Sequence, residues 1–216
     1  MKKFVAKVTL IIGLFVYSLN ANSQAFIGSH LNYNHYLQLS TTGIGFGYLG
    51  MALTSEFDLG GNGIRPSINF GLPSKVERNY DLNSLSTGMY DTTITGFERY
   101  NFFNIYVDFK YFLGDGDTEY GGFYFFGGGG LSIASLTHKL VYDKNLYEPT
   151  SDLDTKQRVF QPVLRLGGGY EHSFNFGNIY AEIFSNVPAN QFLNISVSIN
   201  LPIMIGGQIG IKFPIG

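Results

Sequence analysis

The chain has 216 residues, of which 14% are charged, and its formal net charge is −2 at pH 7. Soluble domains usually carry about 25% charged residues, so the composition is unusual for a water-exposed surface, and the slightly acidic balance argues against a nucleic-acid partner. The sequence contains no cysteine, which excludes a disulfide framework.

The N-terminal residues predict a secretory leader. Three lysines within the first seven residues precede an apolar run from Val8 to Tyr17, which is shorter than the ~20 residues of a membrane-spanning helix. The small residues Ala21 and Ser23 fit a cleavage site after Ser23. We therefore expect a signal peptide over residues 1–23 and a single domain over residues 24–216.

Alternation with a period of two recurs along the rest of the chain. From Leu193 to Phe213 every odd-numbered residue except Gly207 is apolar, whereas most even positions are polar. Because successive side chains of a strand point to opposite faces, this pattern predicts strands with one apolar and one polar face. The predicted strands are Ala25–Tyr36, Thr42–Leu53, Gly63–Leu72, Tyr100–Leu113, Tyr120–Tyr142, Arg158–Phe174, Asn178–Asn186 and Phe192–Phe213.

The connections between these strands alternate in length. Long connections at 73–99 and 143–158 are interleaved with tight turns at Gly114–Asp117 and Asn175–Gly177. Outer-membrane barrels have short periplasmic turns and longer external loops. The sequence therefore predicts an all-β, antiparallel up-and-down transmembrane β-barrel of eight strands. With both termini in the periplasm, the external connections are 36–42, 73–99, 143–157 and 187–191.

Ten strands are an alternative, because the segments 120–142 and 192–213 exceed the ~9–11 residues that a membrane strand needs. Turns at Gly127–Gly130 and Leu201–Pro202 would divide them. However, the apolar residues stay at odd-numbered positions through both places. A two-residue hairpin turn would shift them to even-numbered positions. Eight strands are favoured for that reason.

The polar face of the predicted strands is rich in Gly, Ser and Asn, which suits the crowded interior of an eight-stranded barrel. Gly43, Gly45 and Gly47 are predicted to line this inner wall. Strand charges of both signs fall on the same face, so a salt-bridged internal network is favoured over a pore, which would need a ring of one sign. The candidate interior network is Arg65, Asp108, Lys110, Arg165, Glu171, Glu182 and Lys212.

Motifs that could support catalysis or cofactor binding lack the required context. Gly45–Gly50 matches G-x-G-x-x-G but lies within a predicted strand instead of preceding a helix. Asp115–Glu119 lacks the remainder of a calcium loop. Glu171–Ser173 contains an acid, a base and a nucleophile, but adjacent strand residues face opposite sides. We predict no catalytic, cofactor-binding or metal-binding residues.

Together with the leader and the alternating segments, the terminal Gly207–Phe213 stretch resembles the small outer-membrane β-barrel proteins of Bacteroidota, in the porin-like or OmpA-barrel-like families. The resemblance covers nearly all of the mature chain and rests on pattern. It implies a location in the bacterial outer membrane, contact with its lipid and lipopolysaccharide, and insertion by the barrel-assembly machinery. The expected role is structural or interactive through external loops; the alternatives are a narrow pore and a soluble, lipocalin-like carrier of an apolar ligand.

Overall fold

A computed structural model describes residues 25–37, 46–59, 62–113, 121–149, 157–189 and 202–215. The predicted signal peptide lies outside the described residues. None of the described segments forms a helix that is long and apolar enough to cross a membrane. The strands are β1 (Ala25–Tyr36), β2 (Phe46–Asp58), β3 (Asn62–Gly71), β4 (Ser74–Ser84), β5 (Tyr90–Phe112), β6 (Gly121–Lys139), β7 (Tyr147–Pro149), β8 (Gln157–Phe174), β9 (Gly177–Pro188) and β10 (Met204–Ile215).

Eight of these strands close into a ring by antiparallel pairing, in the order β1, β2, β3, β5, β6, β8, β9, β10 and back to β1. The strand β3 skips β4 and pairs with β5, placing Arg65 opposite Asp108. The ring closes between β1 and β10, from Ala25 opposite Ile215 to Tyr36 opposite Met204. The predicted eight-stranded antiparallel barrel is confirmed, and its closure leaves no free sheet edge within the ring.

The ten-strand alternative is wrong where the described residues test it. Strand β6 runs without interruption through Gly127–Gly130, so no turn forms there. The other proposed turn includes Leu201, which lies outside the described residues, and β10 begins at Met204. The two additional strands observed, β4 and β7, instead lie outside the ring.

A sheet projects beyond the ring where the sequence predicted loops at 73–99 and 143–158. Strand β4 pairs with the first part of β5, from Ser74 opposite Tyr100 onward, and β7 pairs with the end of β4. We call β4, residues 90–100 of β5 and β7 the projecting sheet. The loop prediction was wrong because one face of β4 carries many charges. These charges obscure the alternation of polar and apolar residues, although the other face includes the buried Val76 and Tyr80.

The barrel wall presents apolar side chains outward and polar side chains inward. Leu31 and Ile183 are 69% and 74% exposed, whereas their neighbours Asn32 and Glu182 are buried. Burial alternates in the same way along β1, β9 and β10, whereas the glycine runs of β6 and β8 are half-buried throughout. This arrangement is the reverse of that in a barrel dissolved in water, where the apolar face would turn inward.

The prediction that Gly47 lines the inner wall of the barrel is wrong. It lies on the outer face, where an added Cβ would meet the ring of Tyr33, and its neighbour Tyr48 points inward. Gly43 and Gly45 lie outside the described residues. On the inner face of β6, a Cβ at Gly128 would meet the Val107 carbonyl oxygen, so the close approach of two strands requires glycine there. Glycine has no polarity of its own, and the sequence therefore could not assign its face.

Candidate functional site

The structure brings all seven predicted network residues into the barrel interior, where none is more than 4% exposed. They come from five strands whose polar positions converge on the axis. Two clusters result, one near the middle of the barrel and one near the end that carries the termini and short turns. We call these the central cluster and the lysine–glutamate ring, and the two ends of the barrel the short-turn end and the long-loop end.

The central cluster pairs two arginines with two carboxylates. Arg65 donates to Asp108 Oδ2 at 3.2 Å and to Glu182 Oε2 at 3.0 Å, and a second bond reaches Glu182 Oε1. Arg165 donates to the same oxygen of Asp108. Buried charges are costly unless they are paired and hydrogen-bonded, and this arrangement gives each of the four charges an opposite partner.

Neutral side chains add further contacts to these charges, although Arg65 Nε, Arg165 Nε and Asp108 Oδ1 have no hydrogen-bond partner. Gln208 accepts from Arg165 at 2.9 Å through its Oε1 and donates through its Nε2 to Glu182, which also accepts from the Tyr124 hydroxyl. The guanidinium of Arg165 lies 4.3 Å from the centroid of the Phe184 ring. Side chains of six strands therefore fix the positions of the central charges.

The lysine–glutamate ring alternates two ammonium groups with two carboxylates. Lys110 Nζ lies 3.1 Å from both oxygens of Glu56 and 2.8 Å from Glu171 Oε2. Lys212 Nζ lies 2.6 Å from Glu56 Oε1 and 2.8 Å from Glu171 Oε1. Each carboxylate thus contacts both lysines, and the four residues join β2, β5, β8 and β10 across the lumen.

Sequence reasoning missed Glu56. The predicted second strand ended at Leu53, which placed Glu56 in a charged connection, whereas β2 continues to Asp58. The alternation of residues could have identified Glu56, because even-numbered residues of β2 face inward and Thr54 and Glu56 continue that series. With Glu56 the interior charge of the described residues balances, the cations being Arg65, Lys110, Arg165 and Lys212 and the anions Glu56, Asp108, Glu171 and Glu182.

Replacing Glu56 with Gln should destabilise the barrel by about 2 kcal/mol, because two buried ammonium groups lose one of their two shared anions while the shape is kept. The free energy of unfolding is measured by guanidinium titration of the detergent-refolded protein. Asp58→Asn on the same strand is the control and should change that free energy by less than about 1 kcal/mol, since Asp58 is only half-buried. Equal effects of the two variants would contradict the assigned role of Glu56.

Neutral polar side chains next to the charged clusters are also hydrogen-bonded to one another. The two ring nitrogens of His30 lie 2.9 Å from the Tyr180 hydroxyl and 3.1 Å from Asn69 Oδ1. Asn32 donates to the same Asn69 oxygen at 3.2 Å. These bonds satisfy polar groups that the narrow lumen removes from bulk water.

Aromatic rings fill the lumen at the long-loop end. Tyr48 stacks on Phe102 with centroids 4.3 Å apart, and Phe46 stacks on Tyr100 at 4.5 Å. The Tyr48 hydroxyl contacts the sulfur of Met204 at 3.6 Å. At the opposite end a cavity of about 240 Å³ opens, and the lysine–glutamate ring forms part of its wall. The interior is therefore packed with side chains from the ring to the aromatic layer.

The residues of the candidate catalytic motif lie on opposite faces of β8. Glu171 is buried in the lumen, whereas His172 is exposed on the outside, so the two side chains do not converge. Gly47–Gly50 lies within β2, and β3 follows that strand. Asp115–Glu119 lies outside the described residues. Within the described part of the chain, no group of three or more His, Asp or Glu side chains could hold a metal ion.

Comparisons with known proteins give a fold and no family. The sequence matches no protein-family model and no curated protein. The structure is similar to Neisserial surface protein A, with a TM-score of 0.53 at 8% identity over 90% of this chain and 99% of that one. The fold is that of an eight-stranded outer-membrane barrel.

Two further solved structures match with lower scores. Ail, the attachment invasion locus protein of Yersinia pestis, has a TM-score of 0.42 at 10% identity, covering 89% of this chain and 96% of that one. The translocator domain of the autotransporter NalP from Neisseria meningitidis has a TM-score of 0.41 at 9% identity, covering 97% and 95%. At such identities the likeness shows the fold alone, and the resemblance to Bacteroidota families stays a prediction.

Proposed function

We propose that this chain is an integral, non-enzymatic protein of the bacterial outer membrane, with a closed lumen, that acts through its projecting sheet. One observation carries the proposal: large apolar side chains cover the outside of the barrel while eight charged side chains are buried inside it. A soluble carrier needs an apolar cavity, and the described strands turn their apolar faces the other way.

The apolar band has the dimensions of a membrane. On β5 the outward apolar positions extend from Phe103 to Tyr111, about 27 Å along the strand and about 21 Å along the axis at a tilt of about 40°. Outer-membrane barrels present a band about 25 Å tall with aromatic borders. Phe70 contacts Phe103 near one border, with centroids 5.4 Å apart, and Phe123 contacts Tyr170 near the other at 4.9 Å.

The membrane location is tested on residues 24–216 refolded with detergent and in plain buffer. A compact band on an SDS gel that forms only with detergent and shifts on boiling supports an integral barrel. A protein that folds and stays soluble in buffer alone contradicts the proposal, since its apolar faces would then be covered in another way.

A pore is the second candidate, because charged residues line the inner wall. The balance of four cations and four anions, each paired across the lumen, argues against ion selectivity, which relies on one sign of charge. We expect no conductance steps when the refolded protein is added to planar bilayers. Steps that change on replacing Arg165 or Glu182 would contradict the closed lumen.

The projecting sheet has a defined structure of its own, which suits a contact surface. On its inner face the Tyr80 hydroxyl lies 3.1 Å from His138 Nδ1 and 3.3 Å from Glu98 Oε1. At its far end the Tyr147 hydroxyl bonds to Asp91, and this bond raises the pKa of Tyr147. These contacts fasten β4 and β7 to the two strands of the ring that extend beyond it.

Deleting residues 76–97 should leave the barrel folded and remove the projecting sheet. Lys75 lies opposite Arg99 in the ladder, so an inserted Asn-Gly together with Glu98 can form a three-residue hairpin loop between them. The ring survives because β3 pairs directly with the remaining part of β5. Unboiled SDS gels measure folding, and cells carrying the deletion should lose any surface binding that the full chain confers.

Deleting β3 by the same method is the control, since it opens the ring and should abolish the compact band. If the deletion of 76–97 also abolishes that band, the projecting sheet is required for folding. In that case a role as a contact surface would lose its support.

A further inference from the structure

A row of exposed cations lies at the long-loop end, across the base of the projecting sheet and the adjoining strands of the ring. It consists of Lys75 on β4, Arg99 on β5, Lys139 on β6 and Arg158 on β8, all of which are exposed. We call these four residues the basic belt. They lie on the outward face, because they share the parity of the lipid-facing residues on β5, β6 and β8.

The strand register places the belt residues close together. Lys75 is directly opposite Arg99, Arg99 is opposite Thr137, and Lys139 is two residues beyond Thr137. Neighbouring cations are therefore about 5–8 Å apart at their Cβ atoms for the first three residues. Arg158 lies opposite Ser135 on the next strand, so the belt spans four adjacent strands, about 14 Å across.

No described residue forms an ion pair within 4 Å of any of these four cations. The ion pairs of the described residues involve the interior clusters and His138, and none includes a belt residue. Like charges directly opposite one another in a ladder are destabilising, as Lys75 and Arg99 are here. The arrangement is complementary to an anion that lies against the outer wall.

The belt begins where the apolar band ends. The last outward apolar row at this end contains Phe103, Ile133 and Phe160, which face one another across β5, β6 and β8. Arg158 is one outward position beyond this row, and Arg99 is two. A ligand that contacts both features must carry anionic groups next to apolar chains.

We propose that the basic belt binds the phosphate groups of an anionic outer-leaflet lipid of the lipopolysaccharide type, while the apolar row below it contacts the acyl chains. This inference rests on the proposed membrane location and assigns a lipid class to one face of the barrel. A free phosphate would not use the apolar row. The same face also carries Glu77, which is level with Lys139 and diagonal to Arg99. An acidic protein is less suited, because it would not use the apolar row.

The test uses native mass spectrometry of the mature protein in a neutral detergent, titrated with diphosphoryl lipid A and with the dephosphorylated form. Each single Lys or Arg to Gln substitution in the belt should raise the dissociation constant about fivefold, and the quadruple variant should raise it about six hundredfold if the four effects are independent. Raising the salt tenfold, which shortens the screening length about threefold, should also weaken binding. Lys144→Gln and Glu77→Gln are the controls and should not weaken it.

Several outcomes would overturn the inference. These are equal binding of the dephosphorylated lipid, unchanged affinity of the quadruple variant, displacement of the lipid by inorganic phosphate alone, or tighter binding of polyglutamate than of lipid A. All variants must first show the boiling-dependent gel shift. A variant set that folds as a barrel without phosphate-dependent binding overturns this inference only, whereas failure of the wild type to require detergent overturns the proposed function.

Discussion

Replacing Glu182 with Leu is expected to destabilise the barrel by about 3–5 kcal/mol, as removal of one partner from a buried ion pair does. Glu182 accepts from Arg65, Tyr124 and Gln208. Without it, Asp108 alone remains to balance two buried guanidinium groups in the central cluster. Leucine fills a similar volume, so the loss reports the uncompensated charge instead of a cavity.

A double variant separates the charge effect from a packing effect. Adding Arg65→Met to Glu182→Leu removes one charge of each sign and leaves Arg165 paired with Asp108. Replacement of a buried ion pair by apolar residues is often neutral or stabilising. We therefore expect the double variant to recover most of the stability lost in Glu182→Leu.

The free energy of unfolding of each variant is obtained from guanidinium titration, with the folded fraction read on unboiled SDS gels. Glu77→Leu applies the same chemical change to an exposed carboxylate of β4 and should cost less than about 1 kcal/mol. Additive losses in the Arg65 and Glu182 variants would mean that the two side chains are not energetically coupled. The central cluster would then be a packing arrangement only.

The inner and outer faces of the barrel could be predicted because alternation alone determines them. Arg165 and Glu182 occupy polar positions between apolar neighbours, and this pattern places them on the inner face without knowledge of their partners. The pairing itself could not be predicted, since Arg65 contacts Glu182 across 117 residues of sequence. Such contacts depend on the stagger between strands, which the alternation of one strand does not specify.

The missed features lie where charge density hides alternation. Glu56 was assigned to a connection because acidic residues follow the predicted strand end, although its parity matches that of Thr54. Strand β4 was assigned to a loop for the same reason, although Val76, Tyr80 and Leu82 are buried. In both places the charges belong to one face of a continuing strand, so parity is a better guide than local charge.

Replacing Ile183 with Arg should destabilise the barrel in phosphatidylcholine vesicles by about 2–4 kcal/mol, the cost of a lipid-facing cation near the bilayer midplane. Ile183 is 74% exposed, and it lies at the centre of the outward positions of β9. In water the same exposed position would tolerate arginine at little cost. The Ile183 side chain has few protein contacts to lose. The loss of stability therefore reports whether hydrocarbon or water surrounds this position.

Ile215→Arg supplies the matched control, because Ile215 is also exposed, at 55%, but ends β10 at the border of the apolar band. Its cost should be about 0–1 kcal/mol, as at a membrane interface. The two unfolding free energies are compared in the same vesicles by guanidinium titration. If Ile183→Arg lowers the unfolding free energy clearly more than Ile215→Arg, position 183 lies in the hydrocarbon layer and position 215 at its border. Equal small effects would mean that no hydrocarbon layer surrounds the barrel.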